Sequence, residues 1–86
     1  MYKVFLLKKA ERFYADADRP LAQKLARCFQ QLEQNPREHS NIKVLSGELR
    51  GYLRYRIGDY RVVYRIEESK RIVYVDSITH RSEAYK

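Results

Sequence analysis

The chain has 86 residues and a formal net charge of +7, from 18 Lys plus Arg against 11 Asp plus Glu. That length predicts one domain spanning residues 1–86, of a size that buries little more than about 60% of its unfolded surface, and the charge favours a nucleic acid or an acidic partner. A lone cysteine, Cys28, excludes an internal disulfide or a zinc knuckle, and no apolar run approaches the ~20 residues of a membrane span, so a soluble protein of the reducing cytoplasm is expected.

Residues 2–7 read as a first strand, because aromatic and branched side chains suit a pleated surface. Lys8 and Lys9 open a short helix that sets Ala10, Phe13, Tyr14 and Ala17 on one face. Asp18-Arg19-Pro20 is a helix start, with Asp18 or Arg19 near the cap and Pro20 in the first turn. The second helix, residues 20–34, repeats the apolar spacing with Leu21, Leu25, Cys28, Phe29 and Leu32. Cys28 on that stripe reads as a small core residue.

Asn35-Pro36 ends this helix, and the polar run to Ser40 is a loop. His39 within it reads as a solvated surface residue. Residues 43–49 carry a turn at Gly47 before the next strand pair.

Residues 51–66 alternate with period two around Gly58-Asp59, which predicts a hairpin with two unlike faces. A two-residue loop pairs Ile57 with Tyr60, Arg56 with Arg61, Tyr55 with Val62, Arg54 with Val63, Leu53 with Tyr64 and Tyr52 with Arg65. One face then holds Leu53, Tyr55, Ile57, Tyr60, Val62, Tyr64 and Ile66, where the tyrosines read as core. The other holds Arg54, Arg56, Arg61, Arg65 and Tyr52. Like charges directly opposite on a sheet are destabilising, so Arg56 against Arg61 implies an anion, and phosphate is the obvious one. Seven of the 11 arginines lie from Arg50 onward, and guanidinium groups both fork onto phosphate and stack on bases.

A Ser69-Lys70 connection leads into a last strand over residues 72–78, with Ile66 opposite Val73 and Tyr64 opposite Val75. Its other face is expected to show Ile72, Tyr74, Asp76 and Ile78 beside the arginines. The sum is a β-α-α-β-β-β chain of the α+β class: an N-terminal helical hairpin on one face of a twisted, mostly antiparallel four-stranded sheet, with the basic face uncovered.

Leu45-Ser-Gly47, Gly51-Tyr52, Arg54-Tyr-Arg56, Gly58-Asp-Tyr-Arg-Val-Val-Tyr64 and the ending His80-Arg-Ser-Glu-Ala-Tyr85 follow the strand and helical hairpin in order. In this the chain resembles the RelE/ParE superfamily of bacterial toxins, and specifically its RelE-type members, over nearly its whole length. The resemblance implies a toxin of a type II toxin–antitoxin module that cleaves mRNA in the ribosomal A site and is silenced by a cognate, RelB-like antitoxin. It implies a catalytic set of Arg54, Arg56, Arg61, Arg81 and Tyr85. A lysine common in the family two residues before the Arg54 position is Tyr52 here.

The chemistry needs no metal, cofactor or small-molecule ligand. A ribose 2'-hydroxyl attacks the adjacent phosphorus, and the enzyme must take that proton, stabilise the phosphorane and protonate the leaving 5'-oxygen. Arginine suits the middle role and is a poor base. Arg61 and Arg81, assisted by Arg56, are expected to hold the phosphorane, with Tyr85 or His80 moving protons. Tyr52 and Tyr74 offer faces for unpaired bases, and Arg65, His80 and Lys43 complete the expected contacts to mRNA and ribosomal RNA. The competing expectations are a ParE-like toxin that poisons DNA gyrase, and a non-catalytic RNA-binding relative.

Overall fold

The computed structural model describes residues 1–81. Strand β1 (Lys3–Leu6) is followed by helices α1 (Lys8–Asp16) and α2 (Arg19–Gln34), then by strands β2 (Ile42–Val44), β3 (Leu53–Ile57), β4 (Tyr60–Glu67) and β5 (Ile72–His80). The strands form one mixed sheet in the order β1-β5-β4-β3-β2, with β1 parallel to β5 and the other pairs antiparallel. The fold is the expected α+β arrangement of two helices on one sheet face, with five strands in place of four.

The extra strand is β2, which pairs Ile42, Lys43 and Val44 with Tyr55, Arg54 and Leu53. Three residues are too few to display a period of two, and Val44 at 77% exposure breaks the apolar signal. Backbone pairing along the free edge of β3 makes the strand; side-chain pattern does not.

Local chemistry accounts for the helices. Asp18 Oδ1 accepts from the Leu21 amide at 3.0 Å, and Pro20 occupies the first turn of α2, where its missing N–H costs nothing. At the far end Asn35 Oδ1 accepts from the amides of Arg37 and Glu38, both at 3.0 Å, and so turns the chain away from the helix. Apolar stripes of both helices then close over the sheet. Ala10, Leu25, Cys28 and Leu32 meet Leu53, Tyr55, Val62, Tyr64, Val73, Val75 and Ile78 in one buried cluster. Burying each large aliphatic side chain contributes about 1.5–3 kcal/mol.

Within this core the Tyr64 hydroxyl donates to the Pro36 carbonyl at 2.7 Å, tying the loop after α2 to the middle of the sheet. Burial pushes the Tyr64 phenol above its ordinary range and the Cys28 thiol up to about 12. Among the described residues no helix is long and apolar enough to cross a membrane.

The β3–β4 hairpin has the expected register from Leu53–Tyr64 through Ile57–Tyr60. Gly58 has φ +55° while Asp59 stays at negative φ, as a type II' turn requires. Tyr52 lies just before β3: its amide donates to the Leu49 carbonyl at 3.0 Å and its carbonyl accepts from the Leu45 amide at 2.9 Å, closing the turn at Gly47.

One register departs from expectation. Tyr64 faces Val75, but Val63 faces Ser77, so Asp76 is an extra residue on β5. This bulge reverses which residues of β5 point to which face beyond it. Ile78 therefore sits opposite Val62 in the core, only 5% exposed, and Thr79 takes its place beside Arg61. An unbulged strand would have set Ser77 against the helices and Ile78 among the arginines; the extra residue exchanges a polar burial for an apolar one.

Candidate anion-binding site on the basic sheet face

Away from the helices the sheet presents Lys43, Arg54, Arg56, Arg61, Arg65 and Tyr74, together with Lys3 and Phe5 of β1. At the hairpin end a pocket of about 180 Å³ is lined by Arg54, Arg56, Gly58, Asp59, Tyr60, Arg61 and Arg81. Strand alternation sets Arg54 and Arg56 on the same face of β3, and cross-strand pairing sets Arg61 opposite Arg56. Arg81 follows β5 and reaches the pocket because β5 runs antiparallel to β4, which brings His80 level with Tyr60. Its backbone amide donates to the Asp59 carbonyl.

Two of these guanidinium groups are held by backbone. Arg54 Nη1 donates to the Asn41 carbonyl at 2.6 Å, and Arg56 Nε donates to the Gly58 carbonyl at 3.3 Å. The Arg61 Nε is buried and has no hydrogen-bond partner among the described residues. An unpaired buried donor of a charged group costs about 1–3 kcal/mol or more, so the arrangement is poised for an acceptor from outside the chain. Among the described residues no acidic side chain pairs with Arg61. The ion pairs among the described residues are Arg37–Glu68 at 3.1 Å and Lys70–Glu67 at 3.8 Å, and neither involves a pocket residue. Fixed guanidinium donors around a small concavity suit a phosphoryl group, whose oxygens accept forked hydrogen bonds.

Of the residues singled out from sequence, Arg54, Arg56, Arg61 and Arg81 come together in this pocket. Lys43 flanks them, directly opposite Arg54 on the exposed edge strand. Arg65 and Tyr74 pair at the other end of the face, where the Arg65 guanidinium carbon lies 4.4 Å from the Tyr74 ring centroid. Tyr52 is half-buried at the approach to β3. His80 is on the helix side, opposite Tyr60, with the two rings edge-on at 5.1 Å. The bulge at Asp76 puts it there. Tyr85 lies outside the described residues.

Sequence reasoning passed over Gly58, Asp59 and Tyr60, which line the pocket. Their sequence pattern signals only a turn at Gly58-Asp59 and an apolar alternation at Tyr60. Tyr60 does pack on the helix side, edge-on to Phe13 at 5.8 Å, but as the first residue of β4 it also borders the pocket. Their position at the tip of an arginine-bearing hairpin was the available signal. Among the described residues no group of three or more His, Cys, Asp or Glu side chains is placed to hold a metal ion.

Comparison with known proteins bears on the family and the fold. The model of the family described as the ParE toxin of type II toxin–antitoxin systems matches residues 4–85. Curated protein sequences include no match. Among solved structures, the toxin–antitoxin complex RelBE2 from Mycobacterium tuberculosis is similar with 26% identity and a TM-score of 0.80, covering 93% of this chain and 98% of that one. The archaeal RelE–RelB complex from Pyrococcus horikoshii has 24% identity and a TM-score of 0.78 over 93% of this chain and 94% of that one. The isolated E. coli RelE toxin has 21% identity and a TM-score of 0.78, over 99% and 92%. These last two share the fold. With a family match over almost its full length, the chain belongs to the ParE toxin family, within the RelE/ParE superfamily, and is a toxin of a type II toxin–antitoxin system.

Proposed function

We propose that this toxin is a RelE-type mRNA endoribonuclease that acts on the ribosome, in the cytoplasm, without a metal. The observation that carries the reading is the convergence of Arg54, Arg56, Arg61 and Arg81 on one small pocket with a buried guanidinium nitrogen unpaired among the described residues. A scissile phosphate seated there would meet donors from two strands and from the segment after β5. As the 2'-oxygen attacks, the phosphorane gains negative charge, and Arg61 and Arg81 stabilise that charge more than the ground state. The P–O5' bond breaks, leaving a 2',3'-cyclic phosphate, and the group that took the 2'-hydroxyl proton returns it to the departing 5'-oxygen. Guanidinium groups do not accept the 2'-hydroxyl proton, so that task falls to Tyr85, with the pocket carboxylate of Asp59 as the other acceptor at hand.

Lys43, Tyr52, Arg65 and Tyr74 extend the contact to mRNA and ribosomal RNA, while His80 stands behind the pocket through Tyr60. The inhibiting partner is a RelB-like antitoxin, as the RelBE2 and RelE–RelB complexes of relatives suggest. Purified toxin added to translating ribosomes should cut mRNA within codons, mapped by primer extension, and Arg61→Ala with Arg81→Ala should abolish cleavage. Intact mRNA on active ribosomes would refute the reading.

A second reading has its own support, since the matching family model is named for ParE. In that case the arginine face would contact DNA gyrase as protein against protein. Inhibited supercoiling with untouched mRNA would favour it.

A further inference from the structure

At the end of the basic face opposite the pocket, the register runs Phe5–Tyr74–Arg65 across three neighbouring strands. Phe5 is 59% exposed, although it is a large apolar side chain in a strand. Its ring lies 6.1 Å from the Tyr74 ring at an interplanar angle of 58°, and the Arg65 guanidinium covers the Tyr74 ring at 4.4 Å. Arg65 is itself exposed. Two rings and a planar cation thus form an open corner on the exposed sheet face. Core packing does not explain Phe5: Val4 and Leu6 point to the helices, and Phe5 takes no part in the buried cluster.

We propose that Phe5, Tyr74 and Arg65 form a stacking site for one unpaired base of the RNA strand whose phosphate occupies the arginine pocket. The proposal rests on the endoribonuclease reading for the identity of the strand. Aromatic faces and guanidinium planes are what a nucleobase stacks on, and they do so with little regard to sequence. Charge argues for a nucleic acid over a protein segment: Lys3, Arg65 and Lys43 stand on this face, and the arginine pocket continues it. The spacing fits a single strand. Arg61 and Arg65 are four residues apart on β4, about 13 Å at strand rise, and Phe5 lies two strands farther across at about 4.8 Å per strand, so a chain held by its phosphate at Arg61 reaches Phe5 with a nucleotide a few positions along the strand. The site would set where along the message the cut falls relative to the stacked base.

The test uses the whole protein and a short single-stranded RNA carrying 2-aminopurine at one position, compared with the same oligonucleotide abasic there. Wild-type protein should quench the 2-aminopurine on binding. Phe5→Ala should weaken binding roughly tenfold or more and remove the quenching, with that penalty absent on the abasic strand. Phe5→Tyr should restore both, and Arg65→Lys, which keeps charge and loses the plane, should lose the quenching. The salt dependence should stay as in wild type for Phe5→Ala and become shallower for Arg61→Ala. Equal affinity and quenching in Phe5→Ala would overturn the proposal, as would a variant that binds RNA normally and loses only its antitoxin. Cleavage on ribosomes is scored separately: messages cut normally with no base stacking sink this inference alone, and stacking without cleavage sinks only the nuclease reading.

Discussion

The backbone amide of Arg81 donates to the carbonyl of Asp59, joining the end of the last strand to the turn of the β3–β4 hairpin. That bond lets residues about twenty positions apart in sequence share one pocket, since the turn carries Arg56 and Arg61 on its flanks. The pocket's shape therefore depends on a turn that needs positive φ at Gly58. A Cβ at Gly58 would meet nothing within 4 Å, so the penalty of Gly58→Ala is purely conformational. It should be about 1–2 kcal/mol, read from denaturant unfolding. Cleavage should fall further than this loss of stability explains, because Arg81 follows the turn. Full activity in a folded Gly58→Ala protein would show that the turn does not position the pocket.

Arg61 faces Arg56 across the hairpin and keeps a buried Nε without a partner among the described residues. In the proposed nuclease, anion binding is thus set against stability. Arg61→Ala should leave the unfolding free energy unchanged or raise it by up to about 1 kcal/mol at low salt, while removing activity. The gain should shrink as salt screens the pair. A clear drop in stability at low salt would mean that Arg61 packs more than it repels.

Tyr64 and Pro36 present the opposite case. The hydroxyl that reaches the Pro36 carbonyl at 2.7 Å is buried, and Tyr64→Phe leaves that acceptor without a partner. The variant should lose about 1–3 kcal/mol in chemical denaturation, with an unchanged sheet by circular dichroism. Unaltered stability would indicate that water replaces the phenol.

Alkaline pH should destabilise the fold. Burial raises the Cys28 thiol to about 12 and raises Tyr64 and Tyr55 above their ordinary range. In the unfolded chain the thiol ionises near about 8.5 and the phenols near about 10. The native state then binds more protons than the unfolded one. Stability is full below about 8.5 and declines as pH rises toward 12. Native Cys28 should also react with a disulfide reagent at pH 8 on the order of a thousandfold more slowly than in the unfolded chain. Rapid labelling of folded protein would contradict the buried, protonated thiol.

Acid titrates a different contact. Glu68 is held below the usual carboxylate range, first by the Tyr2 hydroxyl and then by Arg37, which donate at 2.7 Å and 3.1 Å. Its contribution is present above about pH 4.3 and is lost as pH falls. Glu68→Gln should therefore flatten the acid limb of the stability curve; an unchanged limb would leave this contact without weight.

The amino-acid sequence by itself determined the two helices, the helix start at Asp18-Arg19-Pro20, the hairpin register and the segregation of arginines to one sheet face. These follow from periods of two and 3.6 and from turn chemistry, all of which act between residues near in sequence. It also displayed the motifs of the superfamily. Tertiary structure decided the rest. Strand β2 exists because the edge of β3 has free backbone groups, which no side-chain pattern of Ile42-Lys43-Val44 announces. The bulge at Asp76 is a choice between burying Ser77 and burying Ile78, settled only when helices cover the sheet, and it moves His80 behind the pocket. Phe5 and Tyr74 meet because β1 pairs in parallel with a strand some seventy residues away. Arg81 joins Arg54, Arg56 and Arg61 because the pairing of β5 with β4 brings His80 level with Tyr60 and so sets Arg81 beside the hairpin turn.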